Sequence, residues 1–305
     1  MDINPLLSHS QERNSPLPPQ ATSASRIRYA IAQSLSDVAP LSFGQEHVLT
    51  GSAARGIADK FSDIEMMFYA ETLPELSERE HWLQSVGARD IVLDQEQPGE
   101  QEVWATFYIQ DIWVEAGWRV INAHEQDLAN IIAGNVTAHM ALMLAWITTN
   151  AVPLHSRGAL TRWKELLRQY PDNLPQKIID GVNEYWTQPQ GFAIRWALLK
   201  RDEPMALANR LLADIWLLLR ILFAINHEWE PDWKWLRTET QRLSIKPAHL
   251  AERINAIFSQ QQSEYTIAEY LRLIRDTLLL VPSRYDVTQA LANVYDSLRM
   301  HGFEA

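Results

Sequence analysis

Asp63 and Glu65 stand two residues apart in the run Ser62-Asp63-Ile64-Glu65-Met66-Met67, within the stretch HVLTGSAARGIADKFSDIEMMFY from His47 to Tyr69. In a strand, side chains two apart share a face, with Cα atoms roughly 6.6 Å apart. Both carboxylates then project side by side while Ile64, Met66 and Phe68 turn to the opposite, buried face. Carboxylates fixed this way can hold a pair of divalent cations about 3.5 to 4 Å apart, the spacing of in-line displacement at phosphorus. Upstream, Thr50-Gly51-Ser52 closes an apolar strand with a turn whose backbone N–H groups and hydroxyl can face phosphate oxygens, with no side chain on Gly51 to block the approach.

A third acid lies on IWVEAGWRV, Ile112 to Val120. Ile112, Val114, Ala116 and Trp118 share one face of that strand. Trp113, Glu115 and Gly117 share the other, and an acid on so apolar a strand needs a partner if buried. Arg55 and Lys60 lie between the turn and the first two acids, and Arg55 is the candidate to neutralise moving phosphate charge. In LFAINHEWEPDWKWL, Leu222 to Leu236, Lys234 sits on a Trp-rich loop after Pro231 as a point charge suited to a triphosphate, and Asn226 could cap a helix end or orient that loop.

Gly-Ser, then about ten residues, then Asp-x-Glu between apolar residues resembles the signature of the DNA polymerase β-type nucleotidyltransferase superfamily. The wording from Ser62 to Met67 is similar to the kanamycin nucleotidyltransferase version, and Glu115 matches the third acid that the superfamily carries on a later strand, which in streptomycin-type enzymes is also the base toward the acceptor hydroxyl. The Phe-Ala-x-Asn and Lys-Trp-Leu of the Leu222–Leu236 stretch, with PLHSRGALTRWKELLRQYP upstream, resemble the helical domain attached to many bacterial nucleotidyltransferases, although an acid is common there where His155 or Ser156 stands. The resemblance implies two Mg²⁺ ions held by Asp63, Glu65 and Glu115, with Gly51, Ser52, Arg55 and Lys234 against the phosphates of ATP or another nucleoside triphosphate. It further implies transfer of a nucleoside monophosphate to a small hydroxylated acceptor, an aminoglycoside-like antibiotic first, and hence a role in resistance. Two rival readings stand beside it: a regulator that transfers AMP to a protein partner, as antitoxin-type nucleotidyltransferases do, and a non-catalytic nucleotide-binding module.

The rest of the chain must position these residues. Its 305 residues can bury a full core in one large or two ordinary domains. A formal net charge of −11 argues against a broad nucleic-acid face and suits a cationic acceptor. With no cysteine, disulfides and thiol catalysis are excluded, and a cytoplasmic setting is expected. No secretory signal or membrane span is expected, since the apolar run Leu211–Ile225 is short and carries Asp214 and Arg220. A homodimer is left open.

Residues 1–23, rich in Pro, Ser, Gln and Asn, read as a flexible arm. Ser23 or Ser25 could cap a helix to about Val38. Residues 24–121 read as the nucleotidyltransferase domain, with an apolar strand ending in Thr50 and a second strand carrying Asp63 and Glu65, a helix Leu76–Val86, and strands Ile91–Leu93, Val103–Ile109 and Ile112–Val120, the last two a hairpin turned at Asp111. Residues 122–305 show helical periodicity over Ala123–Ala133, Thr137–Thr149, Leu160–Gln169, Gln176–Trp186, Pro204–His227, Ala248–Gln261, Thr266–Leu280 and Tyr285–His301. The expected fold class is therefore α+β: a polymerase-β-like mixed sheet with helices, followed by an all-α domain that closes the cleft. Arg220 and His227 also fit the loose Arg-to-His spacing of helical toxin ribonucleases.

Overall fold

The computed structural model describes residues 16–188, 190–259 and 261–304. The chain forms two compact units. One is built from the described residues through Ala133 together with Leu144–Gln169, the other from Gly134–Met143 and Tyr170 onward.

The first unit opens with α1 (Ser23–Asp37), capped by Thr22, whose hydroxyl accepts the amide of Ser25. Of the expected arm, residues 1–15 lie outside the described residues, and residues 17–22 are not an arm: Leu17 and Ala21 are buried in the core. There follow β1 (Glu46–Leu49), the single turn α2 (Gly51–Ala54), β2 (Ile64–Ala70), α3 (Leu76–Ser85), β3 (Arg89–Leu93), β4 (Glu102–Ile109) and β5 (Ile112–Val120). After α4 (Ile121–Ile132), helix α5 (His139–Asn150) gives its first turn to the second unit and the rest to the first. The first unit closes with β6 (Val152–Ser156) and α6 (Ala159–Leu166).

Six strands pair in the order β3-β4-β5-β2-β1-β6. Strands β2 and β5 run parallel; the other pairs are antiparallel, so the sheet is mixed. The alternation in β2 resolves as expected, with Ile64, Met66 and Phe68 fully buried. Phe43, Phe68, Trp82 and Trp118 make an edge-to-face and stacked aromatic cluster beneath that face, with centroids 5.1 to 5.9 Å apart. Such pairs add about 0.5 to 1.5 kcal/mol each beyond their burial.

The second unit is helical: α7 (Leu174–Trp186), α8 (Ala193–Lys200), α9 (Pro204–Ile225), α10 (Leu236–Gln241), α11 (Leu250–Ser259), α12 (Glu264–Leu278) and α13 (Thr288–Met300). Helix α9 runs through its core, with Leu207, Leu211, Leu218 and Leu222 each fully buried. Asp214 on the same helix has no exposed surface, yet four donors satisfy it: Arg195 Nε, Arg195 Nη2, Trp186 Nε1 at 3.0 Å and the Tyr270 hydroxyl at 2.5 Å. Full pairing of this kind is what a carboxylate needs inside an apolar core. Among the described residues, no helix is long and apolar enough to cross a membrane.

Candidate functional site

Two of the three expected acids come together through strand pairing. Glu65 of β2 and Glu115 of β5 are register partners across a parallel pair, so their side chains leave the same face on strands roughly 4.8 Å apart. That face is the one opposite the aromatic core, and both acids are half-buried on it. Trp113, two residues before Glu115, donates its indole N–H to Glu115 Oε1 at 3.3 Å, and Thr106 of β4 faces Glu115 from the other side. The sequence reading of IWVEAGWRV thus places its two faces correctly.

Asp63 stands one residue ahead of β2 rather than within it. Its segment is held by α1. The Arg28 guanidinium donates to the Ser62 carbonyl through Nε at 2.8 Å and Nη2 at 2.6 Å, and Ser25 Oγ accepts the Ala58 amide at 3.0 Å. The loop closes on itself where Asp59 Oδ1 accepts from the Phe61 amide and the Ser62 hydroxyl. Burial lowers the Arg28 pKa from its ordinary value, and the charges of Asp59 and then Asp63 act against that shift. Arg28 is therefore a positioning residue for Asp63 that the sequence reading missed. The signal was present: Ser25 and Arg28 share the helix face of Ile31, Ala32 and Leu35, and a charged residue on a buried face has a partner to find.

Gly51 opens α2 with φ +64°, in the left-handed region, and lies against Glu65. A Cβ at this position would meet Glu65 Cδ at 2.6 Å and both carboxylate oxygens at 2.7 Å. The Thr50 amide donates to the Glu65 carbonyl at 2.8 Å, which ties the turn to β2. The first helical bond of the turn runs from Ala54 N to Thr50 O, so the amides of Gly51 and Ser52 precede it. The Ser52 side chain is buried. Arg55 is half-buried with its guanidinium 4.8 Å from the Trp146 ring centroid.

Lys234 belongs to the second unit. Its side chain is exposed on a short 3-10 turn, Trp233–Trp235, and pairs with Asp232 at 3.3 Å. Asn226 ends α9: its amide donates to the Leu222 and Ile245 carbonyls, and its Oδ1 accepts the amides of Ser244 and Ile245. It thus caps the helix and fixes residues 244–245, not the loop that carries Lys234.

Carboxylate-only donors suit Mg²⁺, which is held by one or two carboxylates together with substrate phosphates more often than by a complete protein cage. The paired Glu65 and Glu115, with Asp63 two residues ahead of Glu65, fit that pattern. Among the described residues, no group of three or more His, Asp or Glu side chains is drawn together into a preformed metal cage.

The model of a family described as a domain of unknown function, DUF4037, matches residues 136–236, a third of the chain. No curated protein matches. Among solved structures, the crystal structure of a nucleotidyltransferase-like protein from Exiguobacterium sibiricum is similar over 91% of this chain and 79% of that one, at 10% identity and a TM-score of 0.37. A likeness that slight carries neither fold nor function from one protein to the other.

Proposed function

We propose that this protein is a Mg²⁺-dependent nucleotidyltransferase that moves a nucleoside monophosphate, AMP from ATP in the first instance, to a hydroxyl of a small molecule. The observation that carries the reading is the register pairing of Glu65 with Glu115 on adjacent parallel strands, with Gly51 packed against the Glu65 carboxylate. Asp63, Glu65 and Glu115 would hold the metal. Bound there, Mg²⁺ would supply Lewis-acid activation of the acceptor oxygen and charge stabilisation for departing pyrophosphate. Glu115 would take the acceptor proton, a role supported by the Trp113 indole that donates to its carboxylate. A positioned base of this kind contributes typically about 100- to 10,000-fold. The amides of Gly51 and Ser52 would face phosphate oxygens, as would Arg55. The net charge of −11 favours a cationic, hydroxyl-rich acceptor, an aminoglycoside-like antibiotic being the first to try.

The test is transfer of labelled AMP from ATP, with and without Mg²⁺, onto a panel of aminoglycosides and lincosamides, with Asp63→Asn and Glu115→Gln as controls. Product from the wild type that both variants lose supports the reading. Label on a lysate protein instead of a small molecule replaces it with the protein-modifying alternative. Absence of Mg²⁺-dependent nucleotide binding in the wild type leaves an interaction module.

A further inference from the structure

The second unit carries a cleft of about 420 Å³ lined by Asp172, Gln176, His227, Arg284 and Tyr285, a volume within the range of small-molecule sites. Asp172 precedes α7 and Gln176 lies in its first turn, His227 follows α9, and Arg284 and Tyr285 stand in the turn between α12 and α13. Tyr285 is 7% exposed, yet among the described residues its hydroxyl has no hydrogen-bond partner. A phenol buried to this degree ordinarily gives its O–H to a partner, so this donor is left for what the cleft takes up. Arg284 holds its guanidinium 4.8 Å from the Tyr285 ring centroid, a contact with the ring face that leaves the N–H donors at the guanidinium edge. Gln176 Nε2 donates to Asp180 Oδ1 at 2.6 Å, and its Oε1 remains to accept. Asp172 and Arg284 line the same cleft without forming an ion pair, either with each other or with any other described residue.

The wall opposite to ordinary expectation is His227. Its φ of +55° lies in the left-handed region, and its amide donates to the Ala224 carbonyl at 3.1 Å while the Glu228 amide donates to the Phe223 carbonyl at 3.0 Å. These two bonds end a helix on a position that favours glycine. Helix termination therefore does not account for the imidazole, which lies flat on Tyr170 with centroids 5.3 Å apart and planes at 11°. A strained residue kept at the edge of a cleft points to a use for its side chain.

The charges select the ligand. A lone anion drawn to Arg284 is repelled by Asp172, and a lone cation meets the reverse. A molecule that carries both charges uses both residues. We propose that this cleft binds a small zwitterion of the free α-amino-acid class. Its carboxylate accepts from Arg284 and the Tyr285 hydroxyl, its ammonium donates to Asp172 and Gln176 Oε1, and its side chain lies along His227. The site is contained in the second unit and does not rest on the nucleotidyl-transfer reading.

The experiment is calorimetric titration of the full chain with L-phenylalanine, L-histidine, L-glutamine and L-leucine up to about 10 mM, near the weak end of specific affinity. Each amino acid that binds is then tested as its amide, which lacks the carboxylate, and as its N-acetyl form, which lacks the ammonium. Saturable binding of at least one amino acid is expected, with both derivatives at least tenfold weaker. Affinity should fall at least tenfold in Arg284→Gln, which removes a charge-assisted bond, and about threefold to tenfold in Tyr285→Phe, which removes only the hydroxyl. His227→Gly, which relieves the left-handed backbone, should stay folded by urea unfolding and bind more weakly. Asp63→Asn should bind as the wild type does. The proposal is overturned if no amino acid binds, if either derivative binds as well as its parent, if affinity survives in folded Arg284→Gln and Tyr285→Phe, or if Asp63→Asn abolishes binding.

Discussion

Gly51→Ala separates the cost of backbone conformation from the cost of crowding a carboxylate. With φ +64°, any L-residue at position 51 is strained, by roughly 1 to 2 kcal/mol. The new methyl would also sit 2.6 Å from Glu65 Cδ. What it meets is the far end of a flexible side chain, so Glu65 yields and the fold survives, but its carboxylate leaves its place beside Glu115. Gly87, after α3, is the matching control: its φ is +72° and a Cβ there meets nothing within 4 Å. Urea unfolding should show both variants destabilised by about 1 to 2 kcal/mol from the backbone term alone. Mg²⁺-dependent ATP binding, followed by calorimetry, should fall at least tenfold in Gly51→Ala and stay unchanged in Gly87→Ala. Equal nucleotide binding in the two variants would refute the claim that the Glu65 carboxylate works from its position against Gly51.

Three further outcomes follow from buried charge. His47 donates from Nε2 to the Gly44 carbonyl, with Nδ1 against the Ser36 hydroxyl, and is held near pKa 4 by burial, with the backbone bond to Gly44 opposing; His124 is fully buried without a hydrogen-bond partner among the described residues, and burial holds it near 3. Both folded values lie below the ordinary 6.5, so the unfolded chain binds the extra protons and stability, complete above pH 6.5, falls as pH drops toward 4. The slope should reach about 1.4 kcal/mol per pH unit for each histidine, measurable by urea unfolding between pH 4.5 and 7.5, and His124→Phe should reduce it without loss of stability. Glu46 accepts the amides of Arg157, Ala159 and Leu160 at the start of α6, so Glu46→Ala should cost about 2 to 3 kcal/mol on the same assay. Asp214→Leu leaves Arg195 buried without its carboxylate, and should cost about 3 to 5 kcal/mol or prevent folding, read by circular dichroism.

The sequence disclosed what alternation and helical period can carry. Strand β5 matches its expected span of Ile112–Val120, while β2 begins at Ile64, one residue after the Asp63 that the expected strand was to carry. Strand β6 gave no such signal: five residues, Val152–Ser156, include Pro153, and the alternation is too short to separate from a loop. Proline is tolerated there because β6 is an edge strand beside β1, where a missing N–H interrupts no second ladder. Helix α8 was hidden likewise, since eight residues with buried Arg195 and Trp196 show little periodicity. The two units do not divide at the expected Ile121–Asn122, since the first runs through Ala133 and takes in Leu144–Gln169; helical period alone cannot report that the chain later returns to pair β6 with β1.

The same limit explains what was legible of the candidate site. Glu65 and Glu115 could be placed on the right faces because face is a local property of a strand, fixed by period two. Their register pairing is a long-range property, settled by which strands neighbour and by where the hydrophobic faces align. Arg28 and Glu230 belong to the second kind. Each is a charge whose partner lies 34 or 91 residues away, and composition marks such residues only as polar groups out of place. A buried charge on an apolar face is thus a sequence-level sign of a contact without an address. In this chain Arg28 leads to the Asp63 segment and Glu230 to His139 and Arg220, contacts that motif reading does not find.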